Sequence, residues 1–162
     1  MKTLLLLRHG KSSWQDAVLA DHDRPLKKRG RNAAAQMGRL LVQQGLVPDH
    51  VLTSTAVRAR DTAALVAEAM TFRGTIKAVS TLYHAEPQTF VAIVSQVPPQ
   101  IDAVLVVGHN PGLEDWLSRL TGSQEEFPTA ALAHVVIPID DWKDLTLETS
   151  GELRKMWRPK EL

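Results

Sequence analysis

The sequence predicts an α/β fold: three layers, α/β/α, built on a mostly parallel central sheet. Three observations lead there. Short apolar runs alternate with helical patterns along the whole chain, the order that βαβ units impose. The runs at Leu4–Leu7 and Ala103–Val107 are continuously apolar rather than alternating, as strands covered on both faces require. No internal repeat, low-complexity segment or linker interrupts the 162 residues, so they read as one domain spanning 1–162.

Each element follows from its local pattern. Residues 3–7 are a buried strand. Residues 28–44 are a helix with Met37, Leu40 and Leu41 on one face and Gly45 as its stop. Residues 50–53 are a short strand, and 56–70 a helix with the stripe Ala59, Ala63, Val66 and Met70; Ser54 or Thr55 is the expected N-cap. Residues 76–79 are a further strand. Pro87 opens a helix presenting Phe90, Val91, Val94 and Val97, and Pro98-Pro99 ends it. After the strand 103–107, Asn110 reads as an N-cap with Pro111 at the first helical position, ahead of an apolar face of Leu113, Trp116, Leu117 and Leu120. Residues 132–137 form another strand, and 145–149 with 153–157 a terminal hairpin.

Composition narrows the function. The formal net charge is +1, which argues against a broad nucleic-acid face and excludes that partner class. The absence of cysteine rules out disulfides, thiolate nucleophiles and thiolate metal sites. Six histidines without ligand spacing leave no metal site and no cofactor to expect. The apolar start is cut short by Arg8 and lacks a cleavage site, and no stretch reaches membrane-spanning length. The expectation is a soluble cytoplasmic protein without a membrane partner.

The chemistry gathers at strand ends, where open α/β sheets bind ligands. Arg8-His9-Gly10 follows the first strand, and Gly108-His109-Asn110-Pro111-Gly112 follows the strand 103–107. Arg58 lies in the first turn of its helix and leans back over the end of strand 50–53. Asp21-His22-Asp23-Arg24 precedes the first helix, so Arg24 could close over the same edge, or pair locally with Asp21 or Asp23. A neutral imidazole beside guanidinium groups can attack phosphorus while the cations hold the phosphoryl oxygens. The helix N-terminus near Pro111 would add a site suited to an anion.

This ordered set resembles the histidine phosphatase superfamily, with its phosphoglycerate-mutase-like fold. The stretches Arg8 to Trp14, Asp23 to Leu26 with Gly30, Ser54 to Thr62, Leu82 to Ala85, Gly108 to Gly112 and Pro159 to Leu162 are more narrowly similar to the SixA-type phosphohistidine phosphatases. The resemblance implies that His9 is a nucleophile that becomes a transient phosphohistidine. It implies that Arg8, Arg58 and His109 bind the phosphoryl oxygens, with Arg24, Gly10 and Ser12 as further substrate contacts.

The chain departs from the mutase branch. It has no insertion to build a lid and no clear proton donor where the mutases carry a glutamate; Glu86 lies in the right region but matches poorly and suits a helix N-terminus. A phosphomonoester needs an acid for its alkoxide. Phosphohistidine loses an imidazole and needs less help. The expected partner is therefore a phosphorylated protein carrying phosphohistidine. The alternatives are a small phosphorylated substrate, handled by a phosphomonoesterase or mutase, and a catalytically silent phosphate-binding module. Trp14 is placed to line the mouth, Arg60 and His84 to face solvent, and the basic run Lys27-Lys28-Arg29 with Arg31 could steer an acidic or phosphorylated protein.

Overall fold

The computed structural model describes residues Met1–Leu162. Its elements run β1 (Lys2–Arg8), α1 (Lys28–Gln43), β2 (His50–Ser54), α2 (Val57–Met70), β3 (Thr75–Val79), α3 (Pro87–Val94), β4 (Ala103–Gly108), α4 (Gly112–Thr121), β5 (Leu132–Ile137) and β6 (Glu152–Trp157). The six strands form one sheet in the order β3-β2-β4-β1-β5-β6. The first four strands in the chain are mutually parallel, and β5 runs antiparallel to both β1 and β6.

The pleat divides the core. Leu4 and Leu6 of β1 and Val104 and Val106 of β4 face α3 and α4, where Phe90, Trp116 and Leu117 pack on them. Leu5, Leu7, Leu105 and Val107 point the other way, onto Met37 and Leu41 of α1 and Ala59, Ala63 and Val66 of α2. That two-sided burial is why these strands are apolar throughout. The small residues of α2 let it lie close to α1, where Gly38 packs against Val66 and Ala69.

Three local expectations need correction. Residues 145–149 form a turn, and β6 pairs with β5 alone. The segment 145–149 instead carries Leu145 into the core behind Trp142, so its apolar residues reflect burial rather than a strand. Neither Ser54 nor Thr55 caps α2: Ser54 Oγ accepts the Ala56 N–H at 3.1 Å, before the helix begins. Finally, α4 starts at Gly112, and Pro111 sits outside its first turn. Asn110 still works as a cap from one residue further out, its Oδ1 accepting the Glu114 N–H at 3.2 Å.

Close backbone approach explains two glycines. A Cβ on Gly10 would lie 2.6 Å from the Gly30 carbonyl oxygen, so the loop after β1 runs directly against the first turn of α1. A Cβ on Gly112 would lie 1.9 Å from the Ala85 carbonyl oxygen. The first contact ties the end of β1 to α1; the second ties the segment after β3 to α4.

Candidate active site

The C-terminal ends of β1, β2 and β4, adjacent in the sheet, deliver Arg8 and His9, Arg58, and His109 to one cavity of about 260 Å³. Arg8, His9, Ser12, Arg24, Arg58 and His109 all line it, joined by Lys11, Trp14, Asp21, His84 and Asn110. Gly10 does not line it. Its contribution is backbone: its N–H donates to Thr62 Oγ1 at 3.0 Å and its carbonyl accepts from His9.

The bond from His9 sets the chemistry of its ring. His9 Nδ1 lies 2.7 Å from the Gly10 carbonyl oxygen. A carbonyl can only accept, so Nδ1 carries the proton and Nε2 keeps its lone pair. Burial, with Arg58, Arg8 and Arg24 nearby, pushes the His9 pKa down to about 4. The imidazole is therefore neutral at physiological pH and free to act as a nucleophile through Nε2.

His109 faces His9 with ring centroids 5.1 Å apart. Its Nε2 is 2.8 Å from Ser54 Oγ. Burial, and then the neighbouring His9 and Arg58, hold its pKa near 3, so it too is neutral. Ser54 Oγ also accepts the Ala56 N–H; a hydroxyl can accept twice or donate, so this contact is compatible with either His109 tautomer. In the tautomer that accepts the Ser54 proton, Nδ1 of His109 carries the hydrogen; Nδ1 has no protein partner. The remaining buried side-chain atoms without partners are Nε of Arg8 and Nε of Arg58. All three belong to residues lining this cavity, and buried donors are ordinarily paired.

The arginines are held from behind. Arg8 donates to the Phe127 carbonyl at 3.1 Å, and burial lowers its pKa. Arg58 is only 3% exposed; it donates to the Asp21 backbone carbonyl at 2.7 Å and to Asp21 Oδ2 at 3.0 Å. Arg24 bonds Asp21 Oδ1 at 3.0 Å and Ser12 Oγ at 2.8 Å, and its guanidinium stacks on Trp14 with 3.4 Å to the ring centroid. It thus pairs locally with Asp21 and lines the cavity as well. The Tyr83 hydroxyl donates to Asp21 Oδ2. That bond, followed by those from Arg58 and Arg24, holds the Asp21 carboxyl far below the usual carboxylate range.

Two expectations shift here. Glu86 is exposed and does not line the cavity; it stands at the N-cap of α3, its carbonyl accepting from Thr89 and Phe90 and its side chain from Gln88. The start of α4 offers less to an anion than expected, because the Leu113 and Glu114 N–H groups are taken by the His109 carbonyl and Asn110 Oδ1.

Sequence reasoning missed Asp21 as the clamp on two arginines, Ser54 as the partner of His109, and His84 as a lining residue. Asp21 and His84 stand within motifs already marked, but only the paths of their loops bring them to the cavity. The His84 Nε2 lies 3.6 Å from Asp21 Oδ2, and its ring packs on Tyr83 with centroids 4.0 Å apart. No group of three His, Cys, Asp or Glu side chains is placed to hold a metal ion. No helix is long and apolar enough to cross a membrane.

A two-sided α/β sheet whose strand ends gather two neutral histidines and three arginines around one small cavity defines a phosphoryl-handling protein. The chain belongs to the histidine phosphatase superfamily: the profile of the Histidine phosphatase superfamily (branch 1) matches residues 4–82, and the SixA-type structures are its neighbours. A candidate phosphohistidine phosphatase SixA from Nakamurella multipartitia superposes with a TM-score of 0.85 at 29% identity, covering 98% of this chain and 96% of that one. The protein histidine phosphatase SixA complexed with tungstate has a TM-score of 0.83 at 21% identity, covering 98% of each chain, and shares the fold. An uncharacterized protein of Mycobacterium tuberculosis is 34% identical over 150 residues, spanning 86% of this chain and 91% of its own. The protein is a phosphatase of this superfamily.

Proposed function

We propose that the chain removes phosphate from phosphohistidine carried by a protein, through a covalent phosphohistidine at His9. One observation carries the proposal. The buried side-chain polar atoms without partners belong to Arg8, Arg58 and His109, around a His9 whose Nε2 lone pair is free. A phosphoryl group supplies the anionic oxygens such donors call for.

The steps follow from this geometry. Arg8, Arg24 and Arg58 bind the phosphoryl oxygens, and the His109 Nδ1–H donates to another. His9 Nε2 attacks phosphorus; its bond to phosphorus forms as the bond to the departing nitrogen breaks. The Gly10 carbonyl, already bonded to Nδ1–H, steadies the positive charge that grows on the His9 ring. The departing imidazole leaves neutral once its other nitrogen is protonated. Water then attacks phospho-His9, releasing inorganic phosphate and restoring His9.

Two further points favour phosphohistidine over a phosphomonoester. Glu86, the carboxylate nearest in sequence to the expected acid, stays outside the cavity. The mouth presents Trp14 at 70% exposure, apolar surface of use to a protein substrate. The structural neighbours named SixA point the same way.

The test is a quench experiment. The protein is incubated with a ³²P-labelled phosphohistidine protein and, separately, with a panel of phosphoesters. Acid-labile, base-stable label on the chain, and faster phosphate release from phosphohistidine, are the expected results. The His9→Ala variant should form no label and lose at least about 10⁴-fold in turnover, as nucleophile deletions do. Turnover of sugar phosphates far above that of the phosphohistidine protein would defeat the proposal.

A further inference from the structure

Beside the catalytic cavity lies a larger trough of about 720 Å³, between α1, the loop before β5 and the C-terminal turn. The two share Lys11 and Thr129 in their walls, so they adjoin. Five cations line the trough, against the carboxylates of Glu126 and Glu161. Arg158 is already committed: it bonds Glu125 Oε2 at 2.7 Å, the Glu126 carbonyl at 3.0 Å and Glu161 at 3.3 Å. The other four, Lys11, Arg29, Arg39 and Lys160, form no salt bridge. Arg29 and Arg39 are exposed on α1, outside both the core and the catalytic cavity. The chain's net charge of +1 makes this local surplus of cations a feature of the trough, not of the protein at large.

We infer that the trough is a docking subsite for carboxylates that flank the phosphorylated histidine on the protein substrate. The inference rests on the protein-phosphohistidine reading above and deepens it. Charge complementarity selects an anionic occupant. Two features select a protein over a small polyanion. The catalytic cavity, at about 260 Å³, has room for little beyond the reacting group, so whatever fills the trough reaches it as an extension of the same substrate. Trp14, which lines the catalytic cavity but not the trough, adds exposed apolar surface at the mouth. A substrate seated on both needs carboxylates on one flank and apolar groups on the other, a combination that a protein surface carries. Adjacency at Lys11 lets the trough act on binding while Arg8, Arg24 and Arg58 handle the phosphoryl group.

Two phosphohistidine peptides test it, prepared with phosphoramidate and identical except that glutamates flank the histidine in one and glutamines in the other. The wild-type protein should turn over the acidic peptide with a kcat/KM at least about tenfold higher at low salt, carried by KM and shrinking as salt is raised. Arg29→Glu/Arg39→Glu should abolish that preference while leaving phosphoramidate hydrolysis unchanged, which also certifies its fold; Lys160→Glu should weaken the preference in the same direction. If the wild type turns over both peptides equally, or the double variant keeps the preference, the docking assignment is wrong and the phosphohistidine reading stands. An equal loss on phosphoramidate and both peptides would also overturn it, since the arginines would then serve the fold or the reaction centre. If the wild type acts on neither peptide but does act on phosphoesters, the phosphohistidine reading falls and takes the trough assignment with it.

Discussion

Ser54 Oγ stands 2.8 Å from Nε2 of His109, and this bond couples the tautomer of the second histidine to the direction of the serine hydroxyl. With the Ser54 proton on that bond, His109 presents Nδ1–H. Removing the hydroxyl frees the ring to place its proton on Nε2, which turns a donor toward phosphoryl oxygen into a repelling lone pair. Ser54→Ala should therefore lower kcat by roughly 10- to 100-fold, somewhat less than the 10²–10³ typical of deleting an oxyanion donor outright. Ser54→Thr should recover most of it. Steady-state kinetics on the three proteins, with melting curves as a control on folding, checks this; an unchanged kcat in Ser54→Ala would remove Ser54 from the argument.

Asp21 organises the arginines at a cost in charge. Its carboxylate opposes a phosphoryl dianion, yet it bonds Arg24, Arg58 and Tyr83 together. Hydrogen bonds to charged groups contribute about 1.5–3 kcal/mol each, so the preorganisation should outweigh the repulsion. Asp21→Ala should lower kcat/KM by roughly 10- to 100-fold on that scale, and Asp21→Asn by less, since one acceptor oxygen remains. Tighter vanadate binding in Asp21→Ala than in the wild type would show that repulsion dominates instead.

The corners of the site are legible in the sequence because they sit on the simplest part of the fold. Arg8, His9 and His109 directly follow apolar runs, and Arg58 stands in the first turn of a helix after another, so a parallel sheet alone brings them to one edge. Asp21 and His84 reach the cavity, and Tyr83 reaches Asp21, through segments whose paths depend on contacts that no periodicity records. The Gly10–Gly30 and Gly112–Ala85 approaches are of that kind. The failed hairpin has a related cause: Leu145 and Leu147 alternate as in a strand, but Leu145 is buried beside Trp142 and its neighbours form a turn. A serine ahead of a helix usually caps it, whereas Ser54 Oγ accepts from Ala56, before the helix begins, and bonds a histidine from another strand.

Acid should destabilise the fold through the two buried imidazoles. Their folded pKa values, about 4 for His9 and about 3 for His109, lie below the unfolded value near 6.5. Between those limits the unfolded chain binds more protons, so stability rises with pH and is lost as pH falls through that window. At pH 5 the loss relative to pH 7.5 should be up to about 2 kcal/mol per histidine. Urea unfolding at the two pH values gives the total, and His9→Gln and His109→Gln should each flatten the dependence. NMR should show neither ring protonating between pH 5 and 8; a titration of either near pH 6.5 would contradict the burial argument.

His84 bears on whether any side chain assists a poor leaving group. It lines the cavity and is exposed, and its backbone holds a left-handed φ of 56°. Side-chain-bearing residues adopt that region only where their surroundings impose it, often at functional sites. An alkyl phosphate needs a proton donor; a phosphohistidine protonated on its own ring does not. His84→Asn should therefore cut kcat/KM for glycerol phosphate by about 10²-fold, the lower range for general acid catalysis, and leave turnover of a phosphohistidine peptide within about threefold, a change on the scale of one rim contact. Equal losses on both substrates would make His84 a binding residue, and no loss on either would leave the leaving group to water.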